Sequence, residues 1–167
     1  TVPRFVSENL TPSFRTTFVF ADPEGADRNK FHGIEALTDA DLLFVSVRRR
    51  ALPEKDLKLV RDHIEKGKPV IGIRTASHAF SLRGKPAPQG HAVWEEWDAE
   101  VIGGNYTGHH GNALTTEVRS TKEGLSFLGD ERLPQFTSRG SLYINSPARA
   151  GQNVLLLGKA VGIERLE

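Results

Sequence analysis

Two short apolar runs with an amphipathic segment between them restrict this chain more than anything else in it. Asp41-Leu42-Leu43-Phe44-Val45-Ser46-Val47 and Pro69-Val70-Ile71-Gly72-Ile73 are continuous rather than alternating, a pattern suited to strands covered on both faces. Between them Leu57, Val60 and Ile64 recur at helical spacing on a segment opened by Pro53-Glu54 and closed by Lys66-Gly67-Lys68. Acid at the start, base at the end and glycine at the stop are the marks of a helix. Strand, helix, strand with short links predicts a parallel crossover, the unit of doubly wound sheets.

Around this unit the pattern predicts a helix over 2–10 and a strand over 16–20 that ends in the loop Asp22-Pro23-Glu24-Gly25. It also predicts a helix over 92–102, with Val93, Trp94, Trp97 and Val101 on one side and Gly103-Gly104 as its stop. Shorter strands follow over 112–119, 141–145 and 153–160. No repeat, low-complexity tract or linker interrupts the 167 residues, so a single domain over 1–167 is expected. A parallel sheet entered through a helix implies that its first strand lies outside these residues, and the edge so exposed would favour pairing with a second copy.

Composition narrows the function. Twenty-two basic residues against 21 acidic leave a formal charge of +1, so no overall field draws the chain to nucleic acid or to an anionic membrane. No stretch approaches the roughly 18 consecutive apolar residues of a membrane span. The total absence of cysteine removes disulfides, thiolate metal sites and thiol nucleophiles together. It fits a cytoplasmic protein and an exported one that has lost its leader equally well.

In open parallel sheets ligands sit at the carboxyl ends of the strands, which directs attention to the loop after Ile73. It reads Arg74-Thr75-Ala76-Ser77-His78-Ala79-Phe80. Lys68-Pro69-Val70-Ile71-Gly72-Ile73 resembles the strand that precedes the nucleophile elbow of class I glutamine amidotransferases, in which cysteine comes next. Here that residue is Arg74, which stays protonated and cannot attack a carbonyl.

Further segments extend the likeness. Gly103-Gly104-Asn105-Tyr106-Thr107-Gly108-His109-His110-Gly111-Asn112, with Gly33-Ile34-Glu35-Ala36-Leu37 and Ser138-Arg139-Gly140-Ser141-Leu142-Tyr143, makes residues 2 to 160 resemble the ThuA-like (trehalose-utilisation) family. That resemblance implies a three-layer, flavodoxin-like, doubly wound and mostly parallel α/β sheet, lacking in this chain the family's first strand and its C-terminal end. It also implies a link to sugar utilisation and a small sugar derivative as partner. Many relatives carry histidine where this chain has Arg74, so a role proposed for that histidine does not transfer.

Arg74, His109 and His110 are the expected catalytic residues: the guanidinium to hold an anionic oxygen, the imidazoles to move a proton or hold a divalent metal such as zinc. For the histidine pair, metal binding stands beside substrate hydrogen bonding and loop ordering. Thr75, Ser77 and His78 are expected substrate contacts on the elbow, although His78 could equally cap or pack, and adjacent Ser77 and His78 diverge on a helix and make a poor hydrolase pair. Arg48, with Arg49 and Arg50, follows the first apolar run at the same end of the sheet. Trp94 and Trp97 offer stacking faces for sugar rings if exposed and core if not. Asn105 and Tyr106 could read hydroxyls, while Asp22 and Glu24 are candidate acids. Two functions remain open: an enzyme of the ThuA-like group, or a binding module that keeps the frame without catalysis.

Overall fold

A computed structural model describes residues 2–22, 25, 28–128, 135–147 and 149–162. The chain divides into two compact units, residues 1–102 and 103–167.

The first unit opens with helix α1, Val2–Asn9, and a two-residue antiparallel pair, β1 (Phe20–Ala21) with β2 (Phe31–His32). A short 3-10 turn over Ile34–Thr38 leads to β3 (Leu43–Val45). Next come β4 (Leu52–Pro53), helix α2 (Glu54–Glu65) and β5 (Val70–Gly72). β3 and β5 pair in parallel, Leu43 with Val70, Phe44 with Ile71 and Val45 with Gly72. This is the strand-helix-strand unit that the apolar runs predict. α2 buries Leu57 and Val60, carries Glu54 and Asp56 in its first turn, and stops at Gly67, whose φ of 70° an L-residue adopts only under strain.

The larger expectation fails. Among the described residues every pairing except β3 with β5 is antiparallel, and the strands fall into small separate sheets of two or three. The fold is therefore not a flavodoxin-like, doubly wound parallel sheet in three layers. The physical reason lies in the strands themselves: Leu42 and Ile71 are 44% and 45% exposed, so the apolar runs are not covered on both faces. A continuous apolar run marks a strand without showing how many layers cover it.

Residues 92–102 also depart from expectation. β6 (His91–Ala92) pairs antiparallel with β4, and only Asp98–Ile102 winds up, as a single π-helical turn that ends at Gly103. Trp94 and Trp97 enter the core from the intervening turn instead of from a helix face. That core joins Ile34, Val45, Leu52, Leu57, Val60, Ala76, Ala79 and Phe80 with the two tryptophans. Trp97 is its centre, fully buried, edge-on to Phe80 at 4.8 Å and to Trp94 at 5.3 Å, with its indole N–H donating to the Ala76 carbonyl at 2.7 Å.

The second unit is built from antiparallel strands. β7 (Tyr106–His109) pairs with β10 (Tyr143–Asn145), and β8 (Thr115–Ser120) lies between β9 (Phe136–Ser138) and β11 (Leu156–Val161). Helix α3, Lys122–Leu128, is capped by Thr121, whose Oγ1 accepts from the Gly124 N–H at 2.9 Å. A side chain at position 124 would meet the Leu155 carbonyl oxygen at 2.0 Å, so only glycine lets the helix approach that backbone.

Candidate functional site

Parallel pairing brings the carboxyl ends of β3 and β5 side by side, and hydrogen bonds lock the loops that follow. The Arg49 N–H donates to the His78 carbonyl at 3.1 Å and the Arg50 N–H to the Ala79 carbonyl at 2.7 Å. Arg48, Arg49 and Arg50 are thereby held against the turn after β5. That turn, Arg74–His78, is a 3-10 helix entered directly from extended Ile73. Gly72 makes the entry possible, since a Cβ there would lie 2.8 Å from the Ile102 side chain and 3.0 Å from the Ala76 Cβ.

Arg74 sits at the tip with φ 45°, in the left-handed region that non-glycine residues avoid. Among the described residues three non-glycine positions share that conformation, Arg49, Arg74 and Arg83, and all are arginines on the loops at this end of the unit. Backbone strain of this kind persists only where surrounding structure imposes it, and it gathers at ligand sites.

Ser77 and His78 are buried just behind the tip, and Ser77 Oγ lies 3.0 Å from His78 Nδ1. The tight turn thus brings together two side chains that an α-helix would splay apart. Burial above all, and then the positive charges of Arg49, Arg48 and Arg83, hold the His78 imidazole down at about 4. It is neutral at physiological pH, able to donate or accept a hydrogen bond without carrying charge. Arg50 is lowered as well, by burial first and then by Arg28 and Arg48. Arg28, Arg48, Arg49, Arg50 and Arg83 therefore form one cationic neighbourhood in a chain whose charges nearly cancel. Arg28 and Arg83 carry a part of this field that the sequence reading did not give them; the signal available was the triplet Arg48 to Arg50, and nothing local announced that Arg28 and Arg83 would join it.

No family model, curated protein or solved structure matches the chain. The remaining candidates must be read from their own surroundings. Thr75 is half-buried in the elbow turn. Trp97 is core, and Trp94 is 6% exposed, its N–H donating to Glu100 Oε2 at 2.7 Å and its ring covered by the Arg61 guanidinium at 4.0 Å. Their faces are spent on packing and on Arg61. Asp22 directly follows β1, and Glu24 lies outside the described residues.

In the second unit His109 closes β7 opposite Tyr143, and His110 follows it, its N–H bonded to the Leu142 carbonyl at 2.9 Å. His109 Nδ1 lies 2.9 Å from the His110 carbonyl oxygen. A carbonyl can only accept, so Nδ1 is the donor in this contact. Tyr143, which sequence reasoning missed as a site residue, stacks obliquely on Tyr106 at 4.7 Å and stands 6.3 Å from the His109 ring. Asn105 serves the backbone: its side-chain amide donates to the Pro147 carbonyl at 3.0 Å, and its own carbonyl accepts from Ser146. Among the described residues no three histidine or carboxylate side chains gather as a metal-ligand set. No helix is long and apolar enough to cross a membrane among those residues.

Proposed function

We propose that this chain serves carbohydrate utilisation as its likeness to the ThuA-like family implies, binding a sugar derivative at the loops that follow β3 and β5. The observation that supports this most directly is the elbow: a parallel strand delivered into a tight turn, with a strained, exposed Arg74 at its tip and a second strand-end loop hydrogen-bonded alongside. In place of a thiol the elbow presents a permanent cation, so its chemistry is recognition of oxygen rather than thioester formation. The oblique Tyr106 and Tyr143 rings, with His109 beside them, give the second unit an aromatic strip of the kind that suits the apolar face of a pyranose.

The elbow is suited to binding: its histidine, His78, is held near 4 and is poorly matched to proton transfer at neutral pH, which leaves any such transfer to His109 or His110. Melting curves recorded against a panel of disaccharides and their oxidised derivatives, with and without zinc, test the proposal; a ligand at a hundred times its Kd raises stability by about 2.7 kcal/mol. An unshifted melt across the whole panel refutes it. Turnover of any panel member that vanishes in His110→Ala would show an enzyme instead of a binding module.

A further inference from the structure

We infer that the cleft between helix α3 and residues 153–155 is a carbohydrate subsite, in which the Phe127 ring carries the apolar face of a neutral sugar while the polar side chains around it hold the hydroxyls. Every described residue that lines it belongs to the second unit, so the site goes beyond the preceding reading of the loops after β3 and β5 and stands without it.

Backbone contacts build the cleft before any ligand arrives. The Thr121 N–H donates to the Leu155 carbonyl at 3.0 Å, and Thr121 Oγ1 accepts from the Gly124 N–H at 2.9 Å. Gly124 lets the first turn of α3 lie directly on that same carbonyl, where a Cβ would come within 2.0 Å of the oxygen. The helix is thereby fixed against the residues that lead into β11. Alongside this contact opens a cleft of about 460 Å³, lined by Lys122, Glu123, Ser126, Phe127, Asn153 and Leu155. Small-molecule sites occupy roughly 300–1,000 Å³, and walls already fixed spare a ligand the cost of ordering them.

Phe127 is 74% exposed, the highest value among the large apolar side chains described. One exposed ring on an open surface is ordinary. This one lines a cleft together with four exposed polar side chains of mixed type. The Lys122 ammonium donates, the Glu123 carboxylate accepts, and Ser126 and Asn153 do both, which matches sugar hydroxyls, themselves donors and acceptors. The C–H face of a pyranose is the complement of the aromatic ring. A charged ligand is disfavoured, because Lys122 and Glu123 carry opposite charges and exposed ion pairs contribute little in water. A wholly apolar ligand would cover the ring but strip water from the polar groups without replacing it.

Titration of the isotope-labelled full chain with glucose, maltose, cellobiose and sorbitol, followed by amide chemical shifts, tests the site in the wild type, Phe127→Ala and Phe127→Trp. Sorbitol offers the hydroxyls of glucose without the ring. At least one pyranose sugar should shift the amides of Ser126, Phe127 and Asn153, with an affinity indifferent to added salt. Phe127→Ala should weaken that binding about tenfold, Phe127→Trp should restore it, and sorbitol should bind about tenfold more weakly than the sugar, with circular dichroism unchanged in both variants. Shifts confined to Tyr106 and Tyr143, or to the loops after β3 and β5, would overturn the cleft and leave the earlier sugar reading standing. Binding at α3 that Phe127→Ala leaves unchanged, or that sorbitol matches, would overturn the stacking site. Sugar-dependent shifts at α3 with none around Arg74 would uphold the cleft and count against the elbow as the sugar site. No shift with any member of the panel would overturn the cleft, while a melt raised by the oxidised derivatives would still uphold the elbow.

Discussion

Replacing His78 with asparagine should flatten the acid side of the stability profile. In the folded chain the imidazole titrates at about 4, because it is buried and faces Arg49, Arg48 and Arg83, whereas in the unfolded chain it titrates near 6.5. Between these values the unfolded chain binds the proton and the folded chain does not, so stability rises with pH across the window. The contribution is complete above about 6.5 and is lost as pH falls toward 4. From pH 7.5 to pH 5 the full shift corresponds to a loss of about 2 kcal/mol, which solvent reaching the ring, together with screening of the exposed Arg48 and Arg83, reduces to about 1 kcal/mol. Urea unfolding of the wild type and His78→Asn at both pH values isolates this quantity, since other titrating groups act equally on the two proteins. The wild type should lose about 1 kcal/mol more than the variant over that interval, and somewhat less more in 0.5 M salt, where the arginine component is screened. Equal losses in the two proteins would refute the account of His78 as a buried neutral imidazole in a cationic setting.

Other substitutions probe separate parts of the molecule. Arg74→Gly removes the left-handed penalty at φ 45° and should raise stability by about 1 kcal/mol in chemical denaturation while weakening any anion bound at the elbow. Trp97→Ala empties the centre of the first unit's core and removes the hydrogen bond to Ala76, a loss of about 3–5 kcal/mol measurable by the same method. Gly124→Ala forces a methyl onto the Leu155 carbonyl oxygen and should cost about 2 kcal/mol or more, read as loss of amide protection in α3 and at the start of β11.

Much of the local structure was legible in the residues. The spacing of Leu57, Val60 and Ile64 found α2, and the two apolar runs found the parallel pair around it. The step from that pair to a doubly wound sheet failed because hydrophobic runs report burial tendency and not the number of covering layers; Ile71 is half-exposed in spite of its run. Val93, Trp94, Trp97 and Val101 satisfy helical spacing, yet the chain reaches the same burial through β6, a turn and one π-helical turn, a case of packing overriding period. The segment around His109 read as a glycine-rich loop and is a strand, because Gly108 sits opposite Ile144 in an antiparallel pair that no local signal identifies. Within the site, Arg74 at the elbow and Arg48 at the neighbouring strand end followed from strand-end logic. Arg28 and Arg83 did not, since they join the cluster only through tertiary placement.

The uneven distribution of buried side chains has its own consequence. All but one of the buried apolar residues described, Leu114 being the exception, belong to residues 1–102, whereas β9 and β11 leave Phe136, Leu156 and Leu157 exposed to water. Backbone ladders without a deep apolar interior resist heat weakly. A calorimeter should therefore record a broad early transition from residues 103–167, followed by a sharper one when the tryptophan-centred interior finally gives way.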